Sequence, residues 1–378
     1  MLIVNSMSLV LYRKYRPQTF AEIIGQEYIV RTLKNAITGG MISHAYLFDG
    51  PRGVGKTTLA RIFAKAVNCE NRKEDEYEPC NKCSSCTEIM QGRSLDLLEI
   101  DAASHRGIDE IRELRDGIKF APTKSKYKVF IIDESHQLTK EAANALLKTL
   151  EEPPSHDIFI LATTEIHKMI PTIISRCQRF DFRKLTLPEI IKRLEKLSKE
   201  EDAKIEKEAL ELIALNADGS IRDAESLLDQ VFTFSGILDK KKEIKAEDIK
   251  NLLGLVEINL VSKFTDFIIA KKSPDAINFL NELIEKGIDL QEFTKSLINY
   301  LRQTLILKIT GTENPIVTGL TKEEFQKLAS QAANFKEEEL QKIINLILEA
   351  GNKMRYSPIP QLPLELAIIE SCEIANNN

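Results

Sequence analysis

Between Gly50 and Thr57 the chain reads Gly-Pro-Arg-Gly-Val-Gly-Lys-Thr, the pattern G-x-x-x-x-G-K-[ST]. That spacing suits a loop that wraps a polyphosphate. Gly50, Gly53 and Gly55 let the backbone turn its N–H groups inward and approach an anion closely. Pro51, Arg52 and Val54 fill the intervening positions of the same cradle. A helix opening at Lys56-Thr57-Thr58 aims its positive end at the phosphates. Lys56 then reaches the β- and γ-phosphates, and Thr57 offers a hydroxyl to Mg²⁺. ATP with Mg²⁺ is the expected ligand.

Downstream, Val129-Phe-Ile-Ile-Asp133-Glu134 is an apolar run that delivers two adjacent carboxylates. Asp133 suits holding the metal, and Glu134 suits taking a proton from an attacking water. Ile158-Phe-Ile-Leu-Ala162 ends in Thr163-Thr164, hydroxyls suited to sensing a γ-phosphate. Arg176, in Ile174-Ser-Arg-Cys177, and Arg222, just after Gly219-Ser220, are ambiguous by spacing. Each fits a phosphate contact as well as a surface ion pair.

A second constellation follows the loop. Cys69, Cys80, Cys83 and Cys86 fall within 18 residues, with two C-x-x-C intervals. Four thiolates fill the tetrahedral shell of Zn²⁺, which makes such a site structural rather than catalytic. The stretch from Glu70 to Pro79 is polar and could not pack a core unaided, so a metal staple makes sense. An iron–sulfur cluster is the rival reading, because C-x-x-C-x-x-C also occurs in ferredoxins. Redox-active or free thiols are a third. Cys177 and Cys372 read as plain structural residues.

Positioning these groups requires strands that end where the chemistry begins. Residues 1–183 read as α/β: apolar runs at Ala45–Phe48, Leu97–Ile100, Val129–Ile132 and Ile158–Ala162 alternate with helical patterns. That alternation argues for a parallel sheet with ligands at the strands' C-terminal ends. Thr139 is a candidate N-cap for a helix carrying Ala143, Leu146, Leu147 and Leu150, which Pro153-Pro154 ends. Residues 184–249 turn helical, with a capping box at Thr186-Leu-Pro-Glu189 and a near match at Ser220-Ile-Arg-Asp223. A charged boundary lies at Asp239–Glu243, and 250–378 is helical throughout, with Phe293, Leu297, Leu301 and Leu305 expected on one core-facing helix stripe.

The bulk numbers agree with a multidomain globular protein. The chain has 378 residues, 43% hydrophobic and 29% charged, with a net charge of −5. That balance argues against coating nucleic acid by charge alone, though not against a local basic channel. No apolar run approaches the roughly 18 residues of a membrane span, and the N-terminus lacks signal-peptide features. The expected location is cytoplasmic. Met7 is an alternative start, and the tail Asn376–Asn378 is expected to fray.

Together these residues resemble the gamma/tau family of bacterial DNA polymerase III, the AAA+ ATPase motor of the sliding-clamp loader. The resemblance opens at Leu11-Tyr-Arg-Lys-Tyr-Arg-Pro-Gln-Thr-Phe20 and Ile24-Gly-Gln26, and runs through Gly50–Thr57, the four-cysteine insertion, Asp133-Glu-Ser-His136 and Ser175-Arg-Cys177. It continues through Gly219-Ser-Ile-Arg-Asp-Ala224 and Leu227-Leu-Asp-Gln230 to Arg355-Tyr-Ser-Pro358. It implies an AAA+ P-loop domain with a zinc module (1–183, the module at 69–86), a small helical lid (184–249) and an all-α collar that oligomerises (250–378). It implies that Arg176 acts in trans on a neighbour's ATP, that Arg222 senses ATP in cis from the lid, and that Thr164 or its neighbour Thr163 is sensor 1. Tyr12, Arg16 and Pro17 belong to the strip beside adenine and ribose. The implied partners are the sliding clamp, delta and delta-prime subunits, further copies through the collar, and primer–template DNA, within the DNA-directed DNA polymerase III holoenzyme at replication forks. Tyr15 and Ser135 stand where the family commonly has tryptophan and valine. The segment Ala103-Ser-His-Arg-Gly-Ile108 lies where clamp loaders aim a helix at DNA phosphates, with different basic residues, so no DNA contacts are assigned to it. The chain stops soon after the collar, which predicts a short, gamma-like product or a truncated chain. The competing expectations are an AAA+ helicase or branch-migration motor, a non-catalytic clamp-loader scaffold, and a nucleotide-gated zinc-binding adaptor.

Overall fold

A computed structural model describes residues 10–73, 75–104, 120–234, 243–253, 257–311 and 322–374. The expectations about Met7, the boundary residues 239–242, His105 to Ile108 and the C-terminal tail lie outside the described residues. The chain divides into two compact units, 1–246 and 247–378.

The first unit is built on a parallel five-stranded sheet ordered β2-β3-β4-β1-β5. The strands are β1 (Ala45–Asp49), β2 (Leu97–Asp101), β3 (Lys128–Asp133), β4 (Asp157–Thr163) and β5 (Gln178–Asp181). Side chains alternate across a strand, so each one feeds two cores. Val129, Ile131, Ile158 and Ile160 join Tyr46 and Phe48 against Leu59 and Phe63 of the helix Lys56–Val67. Phe130, Ile132, Phe159 and Leu161 face the other way, against Ala142 and Leu146 of the helix Lys140–Glu151. Phe130 and Phe159 stack there with centroids 5.0 Å apart. Because β3 and β4 are covered on both faces, they read as unbroken apolar runs rather than alternating ones.

β5 was not legible as a strand. Gln178-Arg179-Phe180-Asp181 offers one buried side chain, Phe180, and pairs only with β1 at the sheet edge. The N-caps fare better. Thr139 accepts from the Ala142 N–H at 3.2 Å, and Thr186 with Glu189 forms a full capping box at the helix Leu187–Glu200. That helix, Lys207–Asn216 and Ile221–Phe234 complete the first unit.

The second unit is helical in every described element, including Ile258–Ile269, Ser273–Glu285, Leu290–Thr310, Glu337–Met354 and Leu362–Ile374. On Leu290–Thr310, Phe293, Leu297 and Leu301 are fully buried, but Leu305 is only partly so. A step of four residues overshoots a helical turn by about 40°, so the stripe rotates off the core by its fourth member. Among the described residues no helix is long and apolar enough to cross a membrane.

Candidate nucleotide site and cysteine cluster

The Gly50–Thr57 loop leaves the C-terminal end of β1 and runs into the helix Lys56–Val67. It sits between β5 and the helical part of the unit, and two glycines make that fit possible. Gly50 (φ 147°) lies so close to Phe182 that a Cβ would strike the Phe182 carbonyl oxygen. Gly53 (φ 76°) abuts Ser220, where a Cβ would collide with Oγ. Its carbonyl also accepts the Arg222 N–H at 3.3 Å. Lys56 is buried at 6% exposure and donates from Nζ to the Gly50 and Pro51 carbonyls at 2.5 and 2.8 Å. Burial lowers its pKa, while Glu134, Asp133 and Asp49 pull the other way.

β3 brings the carboxylates to the same place. Thr57 Oγ1 donates to Asp133 Oδ2 at 2.8 Å, so the two expected metal-holding groups are adjacent. Glu134 turns away from the strand in a left-handed conformation (φ 47°, ψ 43°). Thr164 Oγ1 donates to Glu134 Oε2 at 2.7 Å, and His136 Nδ1 lies 3.5 Å from the same oxygen. Thr163 is fully buried and bonded instead to His136 Nδ1 at 3.0 Å. Of the two threonines, the one that touches Glu134 is Thr164.

Lys56, Thr57, Asp133 and Glu134 open onto a cavity of about 170 Å³, with Thr163, Thr164 and His136 behind them and outside its lining. The loop contributes Arg52 through Thr58 to its wall, together with Asp133 and Glu134. The N-terminal strip contributes Tyr12, Arg16, Pro17, Ile23 and Ile24. From the helical side come Leu185, Arg193, Ile221, Arg222 and Glu225. Arg222 lies over the Tyr12 ring at 4.9 Å, and its hydrogen bond, followed by that of Arg13, lowers the Tyr12 pKa. Arg193 and Glu225 form a buried ion pair at 2.8 Å, and Arg193 also donates to the Tyr15 carbonyl at 2.6 Å. Ile23, Ile24, Leu185 and this ion pair were not foreseen. Apolar residues and a buried arginine carry no spacing signature of their own.

Arg176 lies outside this cavity. It follows the short helix Pro171–Ile174 and donates to Glu151 Oε1 at 2.7 Å and to the Thr172 carbonyl at 2.8 Å. The second bond is local, the first reaches the end of the helix Lys140–Glu151, and a third of the side chain stays exposed.

Cys69, Cys80, Cys83 and Cys86 converge so that their sulfurs all lie within 4.8 Å of one another. Sulfurs bound at about 2.3 Å around tetrahedral zinc stand in the same range, so the donor set fits that ion. Backbone N–H groups already point at the sulfurs: Cys83 N to Cys80 Sγ at 3.2 Å, Cys80 N to Cys69 Sγ at 3.3 Å and Cys86 N to Cys83 Sγ at 3.4 Å. Burial opposes ionisation of Cys80, but the Lys82 and Cys83 amides outweigh it and bring the thiol to about 6. Cys177 and Cys372 are apart from this cluster, and burial pushes both thiols up.

A parallel sheet with a glycine-rich phosphate loop at β1 and paired carboxylates at β3 defines a P-loop nucleotide-binding fold. Family models match three consecutive stretches. They are "DNA polymerase III, delta subunit" over 25–186, "DNA polymerase III clamp loader subunit, ATPase lid domain" over 189–236, and "DNA polymerase III subunits gamma and tau domain III" over 244–377. The DNA polymerase III subunit gamma of Buchnera aphidicola subsp. Schizaphis graminum is 37% identical over 363 residues, covering 96% of this chain and 97% of that protein. The subunit tau of Bacillus subtilis is 45% identical over 369 residues, covering 97% of this chain and 64% of tau. The chain belongs to the DNA polymerase III gamma/tau family. It spans 64% of the length of the Bacillus subtilis relative and 55% of the Salmonella typhimurium one. Among solved structures, the Thermotoga maritima RuvB Holliday junction branch migration motor is 20% identical and covers 83% of this chain and 97% of that one. The TM-score is 0.48.

Proposed function

We propose that this chain is the ATPase subunit of a DNA polymerase III clamp loader, using ATP to open a sliding clamp and load it onto primed DNA. The observation that carries this reading is the convergence of Thr57 on Asp133 at 2.8 Å and Thr164 on Glu134 at 2.7 Å, beside the phosphate loop, in a chain of the gamma/tau family. The organisation we propose is a nucleotide domain (1–183), a lid (184–249) and an oligomerising collar (250–378), acting in the cytoplasm.

Gly50 through Thr58 cradle the phosphates with backbone N–H groups, and Lys56 neutralises them. Thr57 and Asp133 would hold Mg²⁺, which supplies charge neutralisation for the phosphates. Tyr12, Arg16 and Pro17 flank the base and ribose. Glu134 Oε2 accepts a proton from the attacking water while its oxygen bonds to the γ-phosphorus, and ADP leaves. Thr164 fixes that carboxylate's orientation and reports the γ-phosphate. Arg222 reads nucleotide from the lid. Arg176, which does not line the cavity of its own chain, acts on the ATP of a neighbouring subunit. Cys69, Cys80, Cys83 and Cys86 would bind zinc as a structural staple. The partners in this reading are the clamp, delta-type and delta-prime-type subunits, further copies of this chain, and primer–template DNA held by its backbone.

The test is ATP hydrolysis by the assembly with and without primed DNA and clamp. Both should stimulate turnover, and stimulation by neither overturns the reading. Arg176→Ala should spare ATP binding and lose the stimulated hydrolysis, by roughly 10³-fold or more. Undiminished stimulation would remove the trans role.

A further inference from the structure

The cysteine loop touches more than its own sulfurs. Glu78 lies two residues before Cys80, and its carboxylate accepts the Phe20 N–H at 2.8 Å and the Ala21 N–H at 3.0 Å. These are orphan donors at the start of the short 3₁₀ turn Phe20–Glu22, which no bond within that turn would satisfy. The next residues, Ile23 and Ile24, line the nucleotide cavity. Tyr77 adds an edge contact to the Phe20 ring at 6.5 Å.

A second tie runs through the phosphate-loop helix. Asn81, between Cys80 and Cys83, takes a left-handed backbone (φ 55°) and accepts from Lys65 Nζ at 2.7 Å. Lys65 is 2% exposed, and Nζ also donates to the Gln18 carbonyl and to Gln18 Oε1, both at 2.8 Å. Three oxygens thus match the three donors of a buried ammonium. Gln18 passes the constraint on in both directions. Its Nε2 donates to the Arg16 carbonyl at 2.9 Å, and its N–H donates to Glu22 Oε2 at 2.7 Å. Arg16 and Glu22 both line the cavity.

Little apolar packing fixes the loop that supplies Glu78 and Asn81. Asn71, Lys73, Asp75 and Glu76 are exposed, and Pro79 is the one buried residue among those described from Asn71 to Asn81. Arg72 ties it to the Ala66 carbonyl at 2.9 Å and to the Glu76 carbonyl at 2.7 Å, and Cys69, just past the phosphate-loop helix, meets Cys80, Cys83 and Cys86 at its base. A metal at such a site supplies the folding energy of its loop.

We propose that the cysteine loop is a positioning element for the nucleotide site: through Glu78, Asn81 and Lys65 it holds the Arg16–Ile24 strip as one wall of the ATP pocket, so that zinc occupancy sets nucleotide affinity. The proposal rests on the ATP reading above. Glu78 and Lys65 touch no substrate. They act through Gln18, Phe20 and Ala21.

The test uses the intact chain with three readouts: zinc content, affinity for a fluorescent ATP analogue, and amide hydrogen exchange at Phe20 and Ala21. Glu78→Ala should keep its zinc, lose protection at both amides and bind the analogue about tenfold more weakly, the scale of one lost charged hydrogen-bonding group. Glu78→Gln, which retains one acceptor oxygen, should fall between. Lys65→Met, which cuts the tie between Asn81 and Gln18, should weaken binding likewise while keeping its zinc. Chelating zinc from the unaltered chain should reproduce the Glu78→Ala pattern. Analogue binding unchanged in a zinc-loaded Glu78→Ala chain overturns the proposal. So does unchanged exchange at Phe20 and Ala21 after chelation. An unaltered chain that binds no analogue overturns the ATP reading and the affinity claim with it, whereas the exchange measurement still decides whether the loop holds the strip.

Discussion

At the C-terminal end of the sheet, Asp133, Glu134, Thr163 and Thr164 each have a named hydrogen-bond partner. At the N-terminal end, His44 Nε2, His156 Nε2 and both Asp157 carboxylate oxygens are buried, with no hydrogen-bond partner among the described residues. The backbone there is satisfied, since His44 and His156 carbonyls accept from Phe159 and Lys128 at 2.8 Å. Of the side-chain atoms, His156 Nε2 and Asp157 Oδ1 face each other at 3.6 Å, beyond hydrogen-bond distance. The contrast separates two uses of polar groups in one scaffold. At the first end each group is held in a chosen direction by its neighbour, which is what a reaction needs. At the second, burial without hydrogen-bond partners costs stability.

The comparison can be broken from either side. Glu134→Gln should lower turnover by about 10²–10⁴-fold, the usual worth of a general base, with nucleotide affinity and melting temperature nearly unchanged. Steady-state hydrolysis beside a thermal melt checks this, and turnover within a few fold of the unaltered chain removes Glu134 from its role. Lys56→Ala should cut ATP affinity by at least roughly 100-fold through loss of charge-assisted phosphate contacts. Calorimetric titration reads it.

At the far end the sign differs. Burial pushes the Asp157 carboxyl up to about 6, against the pull of His156 and Lys128. An unfolded aspartate titrates near pH 3.9, so the fold favours the protonated form. That contribution is fully present below about pH 3.9, declines as pH rises to about 6, and leaves a constant penalty above. Asp157→Asn should therefore stabilise the chain at pH 8 by up to about 3 kcal/mol, with the gain shrinking toward zero at pH 4. Urea unfolding at the two pH values distinguishes this from an equal gain at both, which would break the titration account. ATP turnover should not change. The smallest effect is expected at Thr139→Ala. It removes one N-cap bond from the helix after the carboxylates and should cost about 1 kcal/mol in the same unfolding measurement.

What the sequence disclosed follows the physics of each feature. Gly50 through Thr57 and Asp133-Glu134 were legible because phosphate and metal chemistry restrict residue type at fixed spacing. The strands β1, β3 and β4 were legible because burial on both faces demands apolar runs, and the edge strand β2, with only Ile100 buried, was legible from its run Leu97-Leu-Glu-Ile100. β5 was hidden because an edge strand needs only Phe180. The strip's Ile23 and Ile24 and the Arg193–Glu225 pair were hidden for another reason. Their roles come from packing between segments distant in the chain, as with Arg193 and Tyr15. Lys65 was the hardest to see. A lysine nine positions after Lys56 on an amphipathic helix reads as a solvated charge, and only its oxygen cage at Gln18 and Asn81 shows otherwise.

The left-handed backbone of Glu134 bears on how this protein would respond to laboratory evolution. A non-glycine residue held at φ 47° carries strain of order 1–3 kcal/mol, which glycine would relieve. Selection for heat resistance alone would thus reward Glu134→Gly, and a library screened without an activity filter should drift toward inert, sturdier chains. Retention of glutamate at this position in thermally selected survivors would mean that turnover, not durability, had been under selection.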